Sequence, residues 1–358
     1  MPEAADVLIV GIGMTTAVGL SAAETAASVR SATMRFTEST WHDHRFEPFT
    51  LAEVIEDGLP ELNADIGKEL RLTYREARLL RLGTPALLEC LRPLADSGLR
   101  PGLCLALPDF ETTLPLDRAG FLRRLAAQSG AGFDVALSQS LHQGRAGGLL
   151  AIRDAAAIIR SGGAGFMIAG GIDSFKDLYV LGTLDKDKRV KSSTTLDGFI
   201  PGEGAGFLLL ASPAAARSPG LKPLAALAPV AAGVEPGHLY SSEPYRGEGL
   251  AMTIQEFLAE HPPSRPIAEV YSSMNGESHW AKEWGVAFLR NRSAFEPEHG
   301  MHHPADCYGD CGAACGPLMA GLAAMGMAQG YRKSPALVYC SSDRGERALT
   351  LVMRPEGI

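Results

Sequence analysis

Three groups of residues have types and spacings that invite chemistry. The stretch "SLHQGRAGGLLAIRDA" (140–155) carries a strand-like segment, "FDVALSQS", through small residues into an Ala/Leu/Ile helix. Turns of this kind often present one side chain at the mouth of a pocket, and the residue at the tip here is Arg145. A guanidinium stays protonated in proteins, so Arg145 cannot serve as a nucleophile. Ser138, Ser140 and His142 precede the turn, but no Gly-x-Ser-x-Gly elbow surrounds them. A second group is Cys307, Cys311 and Cys315, with His299, His302 and His303 upstream. Zinc knuckles place two residues between cysteines, not three. "GDCGAACG" therefore reads as close helix packing, in which Cys is a small apolar side chain, and no metal is expected. The third group is glycine-rich. "GIGMTT" lacks the third glycine and the following acidic residue of a dinucleotide loop, and "GEGAG" (202–206) lacks the Lys-Ser/Thr end of a phosphate loop. No cofactor is expected. Trp280 and Trp284, beside His279, read as core aromatics at helical spacing.

The elements that must position these residues follow from periodicity. "DVLIVGIGMTTAVG" (6–19) is a buried strand ending in a glycine turn, and "SAAETAASVRS" (21–31) opens a helix with a Ser21/Glu24 capping box. Residues 32–75 read as irregular and polar. A helix is expected over 85–98 and strands over 102–108 and 165–171, with a charged loop at 185–193. "DGFIPGEGAGFLLLAS" closes a first half, and "PAAARSPGLKP" (213–223) is the best linker. The second half repeats the pattern loosely: a helix near 250–260, the strand "IAEVYSS", a helix from about 280, the run "CGAACGPLMAGLAAMGMAQG" and a final hairpin. Two successive runs of strands and helices predict a pseudo-duplicated α/β layer architecture with halves 1–212 and 221–358.

The 358 residues, 46% hydrophobic and 21% charged, can bury a sizeable core. A formal charge of −8 argues against a nucleic-acid groove or an anionic membrane surface. No apolar run reaches the length of a membrane span, and the acidic start "MPEAADVLIV" is not a signal peptide. Six scattered cysteines fit buried thiols in a reduced compartment, so the cytoplasm is expected.

"GRAGGLLAIRDAAAIIRSGGAGFMIAGGIDSF", followed by "DGFIPGEGAGFLLL", resembles the β-ketoacyl synthases, condensing enzymes of the thiolase-like superfamily. The opening strand and helix fit that family as well, and the second half matches it at "YGDCGAACGPL" and, faintly, at "MNGESH". The resemblance implies a thiolase-like, pseudo-duplicated, layered α-β-α-β-α fold. It also implies a nucleophilic cysteine at the elbow, and two residues, His-His or His-Asn, that polarise the thioester oxygen. Carried over by position, counting back from Arg160-Ser161-Gly162, the cysteine falls on Arg145, the first histidine on Asn275 and the asparagine on Asp310. An ionised Asp310 only accepts hydrogen bonds and would repel an enolate. The family's gating loop falls on "SSDRGER", which brings Asp343 and Arg344 where small and apolar residues belong.

These replacements imply a vestigial site at Arg145, Asn275 and Asp310 with no catalytic residue; Cys311 is the alternative nucleophile. An arginine at a helix N-terminus opposes the helix dipole and, if buried, needs a partner. An Arg145–Asp310 ion pair, with Asn275 completing the hydrogen bonds, is expected. The alternatives are a surface Arg145 on a shifted elbow and an arginine that holds a carboxylate or phosphate at the foot of a tunnel. Two functions follow from the resemblance. One is a non-catalytic scaffold or accessory partner, a homodimer or a heterodimer with another thiolase-like chain, or a handler of a protein client. The other is an acyltransferase or an acyl-CoA or acyl-carrier-binding protein with a rearranged site.

Overall fold

The computed structural model describes residues 7–68, 72–110, 115–130 and 132–355. The first half contains β1 (Val7–Thr16), α1 (Ala22–Arg30), β2 (Thr37–His42), β3 (Pro48–Leu51), α2 (Tyr74–Leu91), β4 (Gly102–Ala106), α3 (Arg118–Ser129), β5 (Asp134–Leu141), α4 (Gly144–Arg160), β6 (Phe166–Ser174), α5 (Leu178–Lys186) and β7 (Glu203–Ala211). Next come β8 (Ala225–Leu227), β9 (Ala231–Val234), α6 (Glu248–Glu260), β10 (Ile267–Ser272), α7 (Ser278–Asn291), β11 (Phe295–His302), α8 (Ala305–Tyr308), α9 (Cys315–Ala328), β12 (Ala336–Ser341) and β13 (Glu346–Met353).

The strands join in the order β11-β10-β12-β13-β8-β1-β7-β6-β4-β5, with β9 added on β13. The internal repeat is visible in strand direction. β4 runs parallel to both β5 and β6, and β7 is antiparallel to β6 and to β1. In the other half β10 runs parallel to both β11 and β12, and β13 is antiparallel to β12 and to β9. The short strand β8 pairs with both β1 and β13 and joins the two units.

Helices α4 and α9 lie between the two units and touch β6 on one side and β12 and β13 on the other. A helix covered on all sides must be apolar all round, and α9, "CGPLMAGLAAMGMA", is nearly so. Its Leu318, Met319 and Leu322 share the central core with Leu149 and Ala151 of α4 and with Met14, Leu208 and Val338 from the strands. Successive residues of β7 take opposite faces, as the strand repeat requires. Leu208 and Leu210 enter the central core, whereas Phe207 and Leu209 enter an outer core with Leu79, Leu82 and Leu87 of α2 and Phe121 and Leu125 of α3. On the far side, Leu250, Ile254 and Phe257 of α6 cover Leu337, Leu349 and Leu351. This gives five layers, α-β-α-β-α.

Several local elements depart from the expectations. Residues 32–75 hold the hairpin β2–β3. Its Phe49 and Leu51 pack on Val180, Leu181 and Leu184 of α5, a helix that absorbs the start of the charged stretch read as a loop. Helix α2 starts at Tyr74, eleven residues before the expected onset, behind a true capping box of Thr73 and Glu76, and runs through Pro85. At α1 only half of the expected box forms: Ser21 accepts the Glu24 N–H, but the Glu24 carboxylate takes the N–H of Leu20. Helix α3 and the edge strand β11 have no counterpart among the expected elements. In "GIGMTT", a Cβ on Gly13 would lie 1.8 Å from the Ala86 carbonyl oxygen. That glycine lets β1 sit tightly on α2. No helix among the described residues is long and apolar enough to cross a membrane.

Candidate functional site

The elbow between β5 and α4 is turned by Gly144, whose φ of 56° is left-handed and disfavours a side chain. Gln143 at the helix N-cap makes no side-chain cap. The loop 342–345 of the second half caps the helix instead. The Ser342 hydroxyl accepts from the Ala146 N–H at 2.9 Å and donates to the Gln143 carbonyl at 2.6 Å. This clamps the gate-position loop onto the tip of α4.

Arg145, in the first turn of α4, is 3% exposed. Its Nε donates to Asp310 Oδ2 at 2.6 Å, and its Nη1 donates to Asp343 Oδ1 at 2.5 Å. Asp343 is shared: its Oδ2 accepts from Arg189 Nη1 at 2.6 Å. Arg189 in turn holds Glu277 through two parallel bonds, Nε to Oε1 at 2.7 Å and Nη2 to Oε2 at 2.8 Å. Asn275 Nδ2 then donates to Glu277 Oε2 at 3.1 Å and to Asp310 Oδ2 at 2.8 Å, which closes a ring. Asp310, Arg145, Asp343, Arg189, Glu277 and Asn275 are all buried.

Two arginines against three carboxylates answer the question of a cation at a helix N-terminus. The carboxylates offset both the dipole and the burial cost, which isolated charges could not do. Burial alone would raise the Asp343 carboxyl, but Arg145 and Arg189 hold it well below the ordinary carboxylate range. Aromatic rings shield the ring from water: the Arg145 guanidinium lies 5.2 Å from the centre of Trp280 and 5.8 Å from that of Phe199, and the Trp280 indole N–H donates to Glu277. Beneath the ring, Asp173 at the end of β6 accepts the Ala313 and Ser174 N–H groups and faces Arg75 at 3.4 Å. Burial pushes its carboxyl up to about 6.

The expected contact between Arg145 and Asp310 is therefore present, with Asn275 in the place foreseen for it. A surface Arg145 is excluded by its burial. Asp343 enters the ring, whereas Arg344 beside it stays exposed over the Tyr240 ring at 5.6 Å. Glu277 and Arg189 went unrecognised. Glu277 sits inside "NGESH", two residues from Asn275, and its acid character was the available signal. Arg189 was hidden in a run of charged residues that reads as solvated loop.

The Cys311 thiol is buried, lies 3.7 Å from the Tyr308 carbonyl and is pushed up well above the ordinary thiol range by burial, then by Asp310. A thiol held protonated in this way is unreactive. Ser138 is occupied by the Asp134 carbonyl and the Leu103 N–H, and His142 by the Pro108 carbonyl. The cysteines and histidines of 299–315 do not converge: His302 bonds Glu269, His303 bonds Ser272, and His299 bonds the Glu296 carbonyl. Trp284 is half-buried against the far-side core and stacks on Tyr339 at 5.0 Å.

Residues 137–216 match the model of the N-terminal domain of the β-ketoacyl synthases. No curated protein sequence matches the chain. Among solved structures, a chain from a type II polyketide acyl-carrier protein in complex with its ketosynthase bound to the hexaketide is similar with a TM-score of 0.77 at 17% identity, over 97% of this chain and 98% of that one. The ishigamide ketosynthase/chain length factor gives a TM-score of 0.75 at 15% identity, over 97% of this chain and 98% of that one. The oxazolomycin ketosynthase domain of Streptomyces albus gives 0.79 at 14% identity, over 98% of this chain and 75% of that one. The chain thus has the thiolase-like fold of the β-ketoacyl synthases, and it carries the buried charge ring at that fold's elbow.

Proposed function

We propose that this chain is a non-catalytic ketosynthase-fold subunit that acts by pairing with another thiolase-like chain, its own copy or a second one. The reading rests on one observation: the elbow residue is an arginine locked in a closed, buried ring of charge. A ketosynthase needs a thiolate at the elbow and hydrogen-bond donors facing it. At the corresponding positions this chain offers a permanent cation, an amide whose Nδ2 donates within the ring, and a carboxylate that can only accept. Arg145, Asn275 and Asp310 are in this reading vestigial positions, and Cys311 is core. The halves 1–212 and 221–358 are the two copies of one ancestral unit.

Pairing is supported by the sheet edge. β5 is a terminal strand, and Leu137 on it is 59% exposed. One similar structure is a ketosynthase/chain length factor, which suits a subunit that works through its partner. Six free, buried cysteines fit a reduced, cytoplasmic setting.

The test is intact-protein mass spectrometry after incubation with acyl-CoA and malonyl-CoA donors, run with native mass spectrometry. The expected result is no covalent acyl adduct and a stable dimer, alone or with a thiolase-like partner. An adduct on any residue overturns the proposal in favour of acyl transfer.

A further inference from the structure

We draw no further inference here: the strongest candidate, the cluster of Asp43, His44 and Asp185 where the β2–β3 turn meets the end of α5, carries nothing, because its exposed imidazole is already hydrogen-bonded to Asp185 at 2.7 Å and to Arg45 at 3.3 Å and nothing else among the described residues points to a metal there.

Discussion

Arg145 touches two carboxylates through different nitrogens, and each of those carboxylates has a second partner. Removing the guanidinium therefore leaves Asp310 and Asp343 buried with too little positive charge around them. Arg145→Met is expected to destabilise the chain by about 3–5 kcal/mol, the cost of breaking a buried pair from one side, measured as a shift in chemical denaturation. A loss below about 1 kcal/mol would mean that the ring is not a unit. Much of this site was legible from residue types, because a cation at an elbow demands an anion and the second half offered Asp310. The closure of the ring was not legible. Asp343, Arg189 and Glu277 are far apart in sequence, and a charged side chain reads as solvated until a fold buries it. Glu277 is the clearest case: nothing in "NGESH" distinguishes an exposed loop acid from the base of a bidentate pair.

Helices α4 and α9 meet through glycine. A Cβ on Gly148 would come within 2.3 Å of Pro317 Cδ and 2.6 Å of the Ala313 carbonyl oxygen, and one on Gly316 within 2.7 Å of the Leu149 N–H nitrogen. The contact is partly with backbone, which cannot rotate away. Gly148→Ala is expected to cost about 1–3 kcal/mol through overpacking, despite the better helix propensity of alanine; a stabilised variant by thermal melt would show that the helices can part. The buried strands and the all-apolar α9 were legible because burial on both faces writes a continuous hydrophobic run. The hairpin β2–β3 and the edge strand β11 were not. β2 reads "TESTWH" and β11 reads "FEPEHGMH", polar sequences largely held by one neighbouring strand. Helix α2 begins eleven residues before the expected range because the signal for its start is the Thr73/Glu76 capping box upstream, and Pro85 lies inside it.

The whole chain presents β5 as an end of its sheet, with an exposed Leu137. An edge of this kind is normally blunted or paired. Under the proposed function it is the seam of the dimer, and Leu137→Lys is expected to shift native mass spectra from dimer to monomer while the melting temperature of the isolated subunit barely moves. A dimer indifferent to that change would place the seam elsewhere. The charge ring bears on how such a subunit comes into being. A chain made from its N-terminus exposes Arg145 and Arg189 long before Asp310 and Asp343 exist, and α4 has no Ser342 to cap it until then. Until then the elbow lacks both the carboxylates that face Arg145 and the hydroxyl that caps α4. Only once Ser342 and Asp343 have followed can the cap and the ring close, so the elbow of the first half is completed by the last residues to join it.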